Sequence, residues 1–192
     1  GKEKINFMIM CKVLQKEKSL AISDVKMNVS IWRVSNGDGR FETYHVPAQE
    51  NQTVLDVVAY VQQMIDPTLS YRFACRVGMC GSCAMMVNGA PRWTCRTHVS
   101  KVLKSNRMEI APLRNLPVIK DLATAMDPFF EKWVAAEAVF KPTVTRHDPM
   151  ATIAPDAPER LVASAAIECI NCAVCYAACD VVAMNPDYFG PA

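Results

Sequence analysis

Between Asn28 and Val34 the residues NVSIWRV alternate apolar with polar, and the alternation resumes in RFETYHV after Asn36-Gly37-Asp38-Gly39. A period of two broken by turn residues predicts a β-hairpin. The period then changes. Val54, Leu55, Val58, Val61 and Ile65 recur at helical spacing behind Thr53, a capping residue type, and the run stops at Asp66-Pro67. A hairpin followed by a helix opens a β-grasp domain, predicted here over 28–112. Asn88-Gly89 marks its second hairpin turn, and Arg107 to Ala111 reads as its closing strand. Beyond Pro112, LPVIKDLATAMDPFFEKWVAAEAVF places apolar residues at helical intervals, so 113–192 is predicted helical and the fold class α+β. Pro142, Pro149, Pro155 and Pro158 mark an extended stretch expected to wrap one domain on the other. Asp156 and Glu159 resemble a capping box, which starts a helix running into Cys169.

Residues 1–27 show no sustained period and are assigned to an extension outside the fold. They carry six lysines against Glu3, Glu17 and Asp24, while the whole chain of 192 residues carries a net charge of only +2. The remainder is therefore close to neutral. A nucleic-acid binder would show a basic stripe, so no nucleic-acid partner is expected. A hydrophobic fraction of 51% is ample for a packed core. Leu161 to Met184 is long and apolar enough to suggest a membrane span, yet Ser164, Glu168, Asn171 and Asp180 interrupt it. We expect no membrane anchor in the chain itself.

Eight of the nine cysteines fall into two runs. Cys75, Cys80 and Cys83 form C-x4-C-x2-C, and Cys95 follows after eleven intervening residues. That loop is the one plant-type ferredoxins wrap round a 2Fe-2S cluster. Gly78 and Gly81 permit positive φ and close backbone approach, so amides can point at sulfur. Cys169, Cys172, Cys175 and Cys179 form C-x2-C-x2-C-x3-C, in which three thiolates hold one 4Fe-4S cluster and the fourth ligates another. Cys11 falls in the extension and reads as incidental. No signal peptide is visible, so thiolate ligands fit this density better than a disulfide framework.

With both runs in this order, the chain resembles the iron-sulfur subunit of succinate dehydrogenase and quinol:fumarate reductase. The resemblance covers Met27 to Ala192, including the RVGMCGSCAM loop, PLRNLPVIKDL, MDPFFEKW, and CINCAVCYAAC leading to NPDYFGPA. It implies an N-terminal 2Fe-2S ferredoxin-like β-grasp domain followed by a bacterial-ferredoxin-like helical domain. It also implies an electron relay. Cys75, Cys80, Cys83 and Cys95 would hold the 2Fe-2S centre nearest an FAD-bearing flavoprotein subunit, Cys169, Cys172 and Cys175 a 4Fe-4S cluster, and Cys179 a 3Fe-4S cluster. Electrons would continue to quinone beside membrane anchor subunits, on the cytoplasmic side of the inner (plasma) membrane. The remaining ligands of the last two clusters are expected beyond Ala192, in a chain that is C-terminally incomplete. Asp180 stands where ferredoxins usually have Pro.

Other readings stay open at this point. A free-standing ferredoxin-like carrier would use the same cysteines without an enzyme partner, and a zinc-stapled module would use them without redox chemistry. An iron-sulfur half of a molybdenum hydroxylase would need paired C-x2-C and C-x-C units, which the chain lacks. His45, His98 and His147 are lone histidines, read as surface or cap residues. Trp93 and Arg96 adjoin Cys95, where they either tune a cluster or simply pack.

Overall fold

The fold is taken from a computed structural model that describes residues 26–35, 37–137, 144–150, 152–185 and 187–191. Cys11, Pro142 and most of the N-terminal extension lie outside those residues. Strands β1 (Lys26–Ser35) and β2 (Asp38–Pro47) pair antiparallel from Lys26↔Pro47 to Ser35↔Asp38. The hairpin begins two residues before the point its alternation suggests, and Met27 is fully buried with Val29 and Ile31. Helix α1 (Val54–Tyr60) opens on a capping box between Thr53 and Asp56, and it buries Val54, Val57 and Val58.

The predicted continuation of that helix is instead a π-helical turn, Val61–Ile65, closed by the Asp66 amide on the Val61 carbonyl at 2.7 Å. A wider turn advances fewer degrees per residue, so Ile65 rotates off the apolar face and is exposed.

Strands β3 (Ala84–Val87) and β4 (Ala90–Trp93) form the second hairpin, with Asn88 at φ 49° and Gly89 at φ 77°. A short helix α2 (Val99–Val102) leads to β5 (Arg107–Ala111), which runs parallel to β1 and antiparallel to β3. The five-stranded sheet has order β2-β1-β5-β3-β4. Its core joins Met27, Val29, Ile31, Met108 and Ile110 to Val54, Val57 and Val58 of α1.

The second half departs from an all-helical expectation. Residues Val118–Lys120 (β6) and Ala123–Thr124 (β7) form a small hairpin before the first helix. Long-range bonds explain it. Asp121, fully buried at φ 50°, accepts from the Arg33 guanidinium (2.9 Å) and from the amides of Val34 and Ser70 (2.8 Å each), while Leu122 enters the first core.

Helices α3 (Asp127–Ala135), α4 (Pro158–Ile167), α5 (Val174–Ala178) and α6 (Asp180–Met184) follow. Pro158 opens α4, which ends at Ile167, two residues short of the predicted run into Cys169, and residues 144–150 are exposed. Among the described residues no helix is long and apolar enough to cross a membrane. A second core joins Ala84 and Met86 of β3 to Leu113, Leu116, Phe129, Tyr176 and Val182. The sheet and the helices thus share apolar surface.

Candidate metal centres

All eight described cysteines are free thiols. The first loop leaves the core after Leu69, guided by stacked Tyr71 and Phe73 rings (centroids 5.5 Å apart), with the Arg76 guanidinium over Phe73 at 4.7 Å. Arg76, Gly78 and Gly81 all take positive φ (59°, 77° and 66°), which coils the backbone round its own sulfurs. Amides of Val77 (3.4 Å), Met79 (3.2 Å) and Cys80 (3.4 Å) donate to Cys75 Sγ, and the Cys75 amide points at Cys80 Sγ (3.5 Å). Such donors favour negative charge on sulfur.

Two thiols stand outside and two inside. Cys80 is exposed beside Cys75, and its thiol is held down to about 6 by the Ser82 hydroxyl, 3.1 Å away, and by neighbouring amides. Cys83 and Cys95 are buried against Leu55, and burial together with the adjacent Cys83 pushes the Cys95 thiol up to about 11. Thr94 fixes the inner pair, because its hydroxyl (2.8 Å) and amide (3.4 Å) both donate to the Cys83 carbonyl at the hairpin's end. Arg96, next to Cys95, lays its side chain over Gly78, and Trp93 is partly exposed on β4.

The second run follows α4 as a loop bent by left-handed Asn171 (φ 53°) and Ala173 (φ 58°). Cys169 and Cys172 lie on this loop, and Cys175 lies in the first turn of α5. Cys175 is exposed by surface area, yet partial desolvation of its sulfur raises the thiol first, and the neighbouring Cys172 and Cys169 raise it further. Cys179 occupies the junction of α5 and α6 and packs against the second core.

Asn115 holds that junction by donating to the carbonyls of Tyr176 (2.8 Å) and Cys179 (2.9 Å), and Arg114 reaches the Ala177 carbonyl (3.2 Å) and the Asp180 carboxylate (2.9 Å). Asp180, which replaces the usual Pro, therefore starts α6 and carries this ion pair. The supporting residues Ser82, Arg114 and Asn115 had no local signal in the sequence. The last two lie more than sixty residues from their partners.

Among the described residues no three His, Cys, Asp or Glu side chains converge where one metal ion would be held. Cys75 beside Cys80 and Cys83 beside Cys95, across a loop of inward amides, form the two-plus-two donor set that a binuclear cluster takes. The histidines stand elsewhere: His45 bonds Asn28 (2.8 Å), His98 precedes α2, and His147 is exposed beside Arg146.

Comparison with known proteins agrees with this donor chemistry. A family model described as a 2Fe-2S iron-sulfur cluster binding domain matches residues 28–131. The fumarate reductase iron-sulfur subunit of Mycobacterium tuberculosis (strain CDC 1551 / Oshkosh) is 38% identical over 156 residues, 79% of this chain and 61% of the relative. That of Haemophilus influenzae is 34% identical over 182 residues, 86% of this chain and 69% of the relative. Iron-sulfur subunit 1 of the mitochondrial succinate dehydrogenase [ubiquinone] of Oryza sativa subsp. japonica is 36% identical over 140 residues, covering 72% of this chain and 49% of the relative. The chain thus spans between about half and just over two thirds of these relatives' lengths. Among solved structures, a chain of the Mycobacterium smegmatis Sdh1 complex in the apo form superposes with a TM-score of 0.76 at 26% identity, covering 88% of this chain and 71% of that one.

Proposed function

Because this chain belongs to the family of iron-sulfur subunits of fumarate reductases and succinate dehydrogenases, we propose that it is the electron-transfer subunit of a succinate:quinone oxidoreductase. In this reading Cys75, Cys80, Cys83 and Cys95 hold a 2Fe-2S cluster, Cys169, Cys172 and Cys175 contribute to a 4Fe-4S cluster, and Cys179 contributes to a 3Fe-4S cluster. Bound there, such clusters take up and release single electrons. The observation that carries the reading is the division of eight thiols into two plus two and three plus one.

The chain's own residues position and insulate. Cys83 and Cys95 keep one side of the first site dry, whereas Cys75 and Cys80 bring the other to the surface. Exposed Phe73, Val77 and Met79 surround that outer pair, with Arg72 and Arg76 beside them. An apolar ring with a cationic rim suits a lasting contact with the flavin-bearing subunit, where the dicarboxylate chemistry belongs. Electrons would leave through the second run toward quinone at a membrane anchor, with this subunit peripheral on the cytoplasmic face of the inner (plasma) membrane.

Low-temperature EPR tests the assignment. Anaerobically purified, reduced protein is expected to show a rhombic 2Fe-2S signal with matching iron and acid-labile sulfide. Stoichiometric zinc without iron would sink the reading. Co-purification with a flavin-bearing subunit is expected, and recovery without one would favour a free-standing carrier.

A further inference from the structure

The two cysteine runs meet at one point. Gly81 is buried against Cys172, and a Cβ built on Gly81 would overlap the Cys172 side chain and lie 2.9 Å from its Cα. We propose that Gly81 sets the gap an electron crosses between the first cluster and the second, because only a residue without a side chain lets the two ligand loops touch backbone to backbone. The inference rests on the cluster assignment above.

Connectivity gives the contact its meaning. From Cys80 Sγ the covalent path runs through one peptide link to Gly81. From Cys172 Sγ it runs through that residue's own Cα. A single non-bonded step joins the two paths, and electronic coupling across non-bonded space decays steeply with distance.

Both loops are shaped to make that step short. Gly81 takes positive φ (66°), and the residues on either side of Cys172, Asn171 and Ala173, are both left-handed (53° and 58°). Beside the contact lies a cavity of about 170 Å³ lined by Arg72, Cys80, Gly81, Ser82, Asn171 and Cys172, so the loops touch at Gly81 and stand apart next to it. A methyl group at position 81 would meet backbone, which cannot swing aside. The loops would have to separate.

Gly78 supplies a matched control. It also has positive φ, but a methyl there would meet only the flexible Arg96 side chain, whose Cγ lies 2.9 Å away. Gly81→Ala and Gly78→Ala therefore carry similar backbone strain, and only the first widens the gap.

The readout is spin relaxation of the reduced 2Fe-2S signal in the assembled complex, by EPR power saturation with the second cluster poised oxidised or reduced. In the wild type, reducing the second cluster is expected to speed that relaxation. Gly81→Ala is expected to keep both cluster signals and weaken the enhancement, and Gly78→Ala to retain it in full. The proposal is overturned if the wild type shows no enhancement, if Gly81→Ala keeps it in full, or if Gly78→Ala loses as much. Absence of the 2Fe-2S signal from the wild type would instead remove the underlying cluster assignment, a separate outcome.

Discussion

The Ser82 hydroxyl lies 3.1 Å from Cys80 Sγ on the exposed side of the first site. With the thiolate as acceptor it donates, and a donor to ligand sulfur favours the more negative, reduced state of a cluster. A hydrogen bond worth about 1 kcal/mol corresponds to roughly 40 mV for a one-electron couple. Ser82→Ala is therefore expected to lower the 2Fe-2S potential by that order in a potentiometric EPR titration, with Ser82→Thr restoring it; an unchanged potential would show that the hydroxyl does not tune the site. Asp121 acts differently, on stability. Its fully buried carboxylate accepts from the Arg33 guanidinium and two amides, so Asp121→Ala leaves Arg33 to Asp66 alone and strands two buried donors. The expected cost is about 2–4 kcal/mol by urea denaturation. A loss below about 1 kcal/mol would mean that water replaces the carboxylate without penalty.

Among the elements, β1, β2 and β5 were legible because a strand with one dry face writes its geometry as a period of two. Arg33 is the exception within β1. It occupies an inward position, and what makes it tolerable there, Asp66 and Asp121, lies far along the chain. The β6–β7 hairpin was illegible for the same reason, since VIKDLAT turns where it does to deliver Asp121 and Leu122 to the first core. The two cysteine runs are a matter of spacing within a few residues, whereas Arg114 and Asn115 act only through the fold. The π-helical turn ends at Asp66, which accepts from the Thr68 hydroxyl (2.6 Å) and amide (3.0 Å), Tyr44 (3.1 Å) and Arg33 (3.0 Å). These partners, the Thr68 hydroxyl first, hold the carboxyl below its ordinary 3.8. A carboxyl lowered on folding stabilises while ionised, so its contribution is full above that ordinary value and disappears as pH falls through the lower folded one. Asp66→Asn should therefore flatten the loss of stability on acidification below about pH 4, measured by urea unfolding at stepped pH. An unaltered slope would assign the acid response to other carboxyls.

Across the whole molecule, the two cysteine runs keep their relative position because the sheet and the helices share a core. Ala84 and Met86 of β3 packing with Leu113, Leu116, Phe129 and Tyr176 supply the adhesion. Phe129 is its centre. The ring meets Tyr176 edge to face at 5.5 Å and Phe130 at 5.4 Å, while Lys132 from the same helix bonds the Tyr188 carbonyl at 2.8 Å. Truncating a buried Phe costs about 3–5 kcal/mol where the site cannot collapse. That loss should fall unevenly, because the first core around Val29, Ile31 and Ile110 does not include Phe129. In Phe129→Ala, amides of α5 and α6 are expected to exchange with solvent markedly faster while those of β1 and β5 keep their protection. Equal acceleration in both regions would mean that the halves unfold as one unit and that the shared core is not a separable joint. Uneven acceleration would locate the joint between the first ligand loop and the second, where loosening moves Cys172 away from Gly81 and leaves the four thiols of the first site in place.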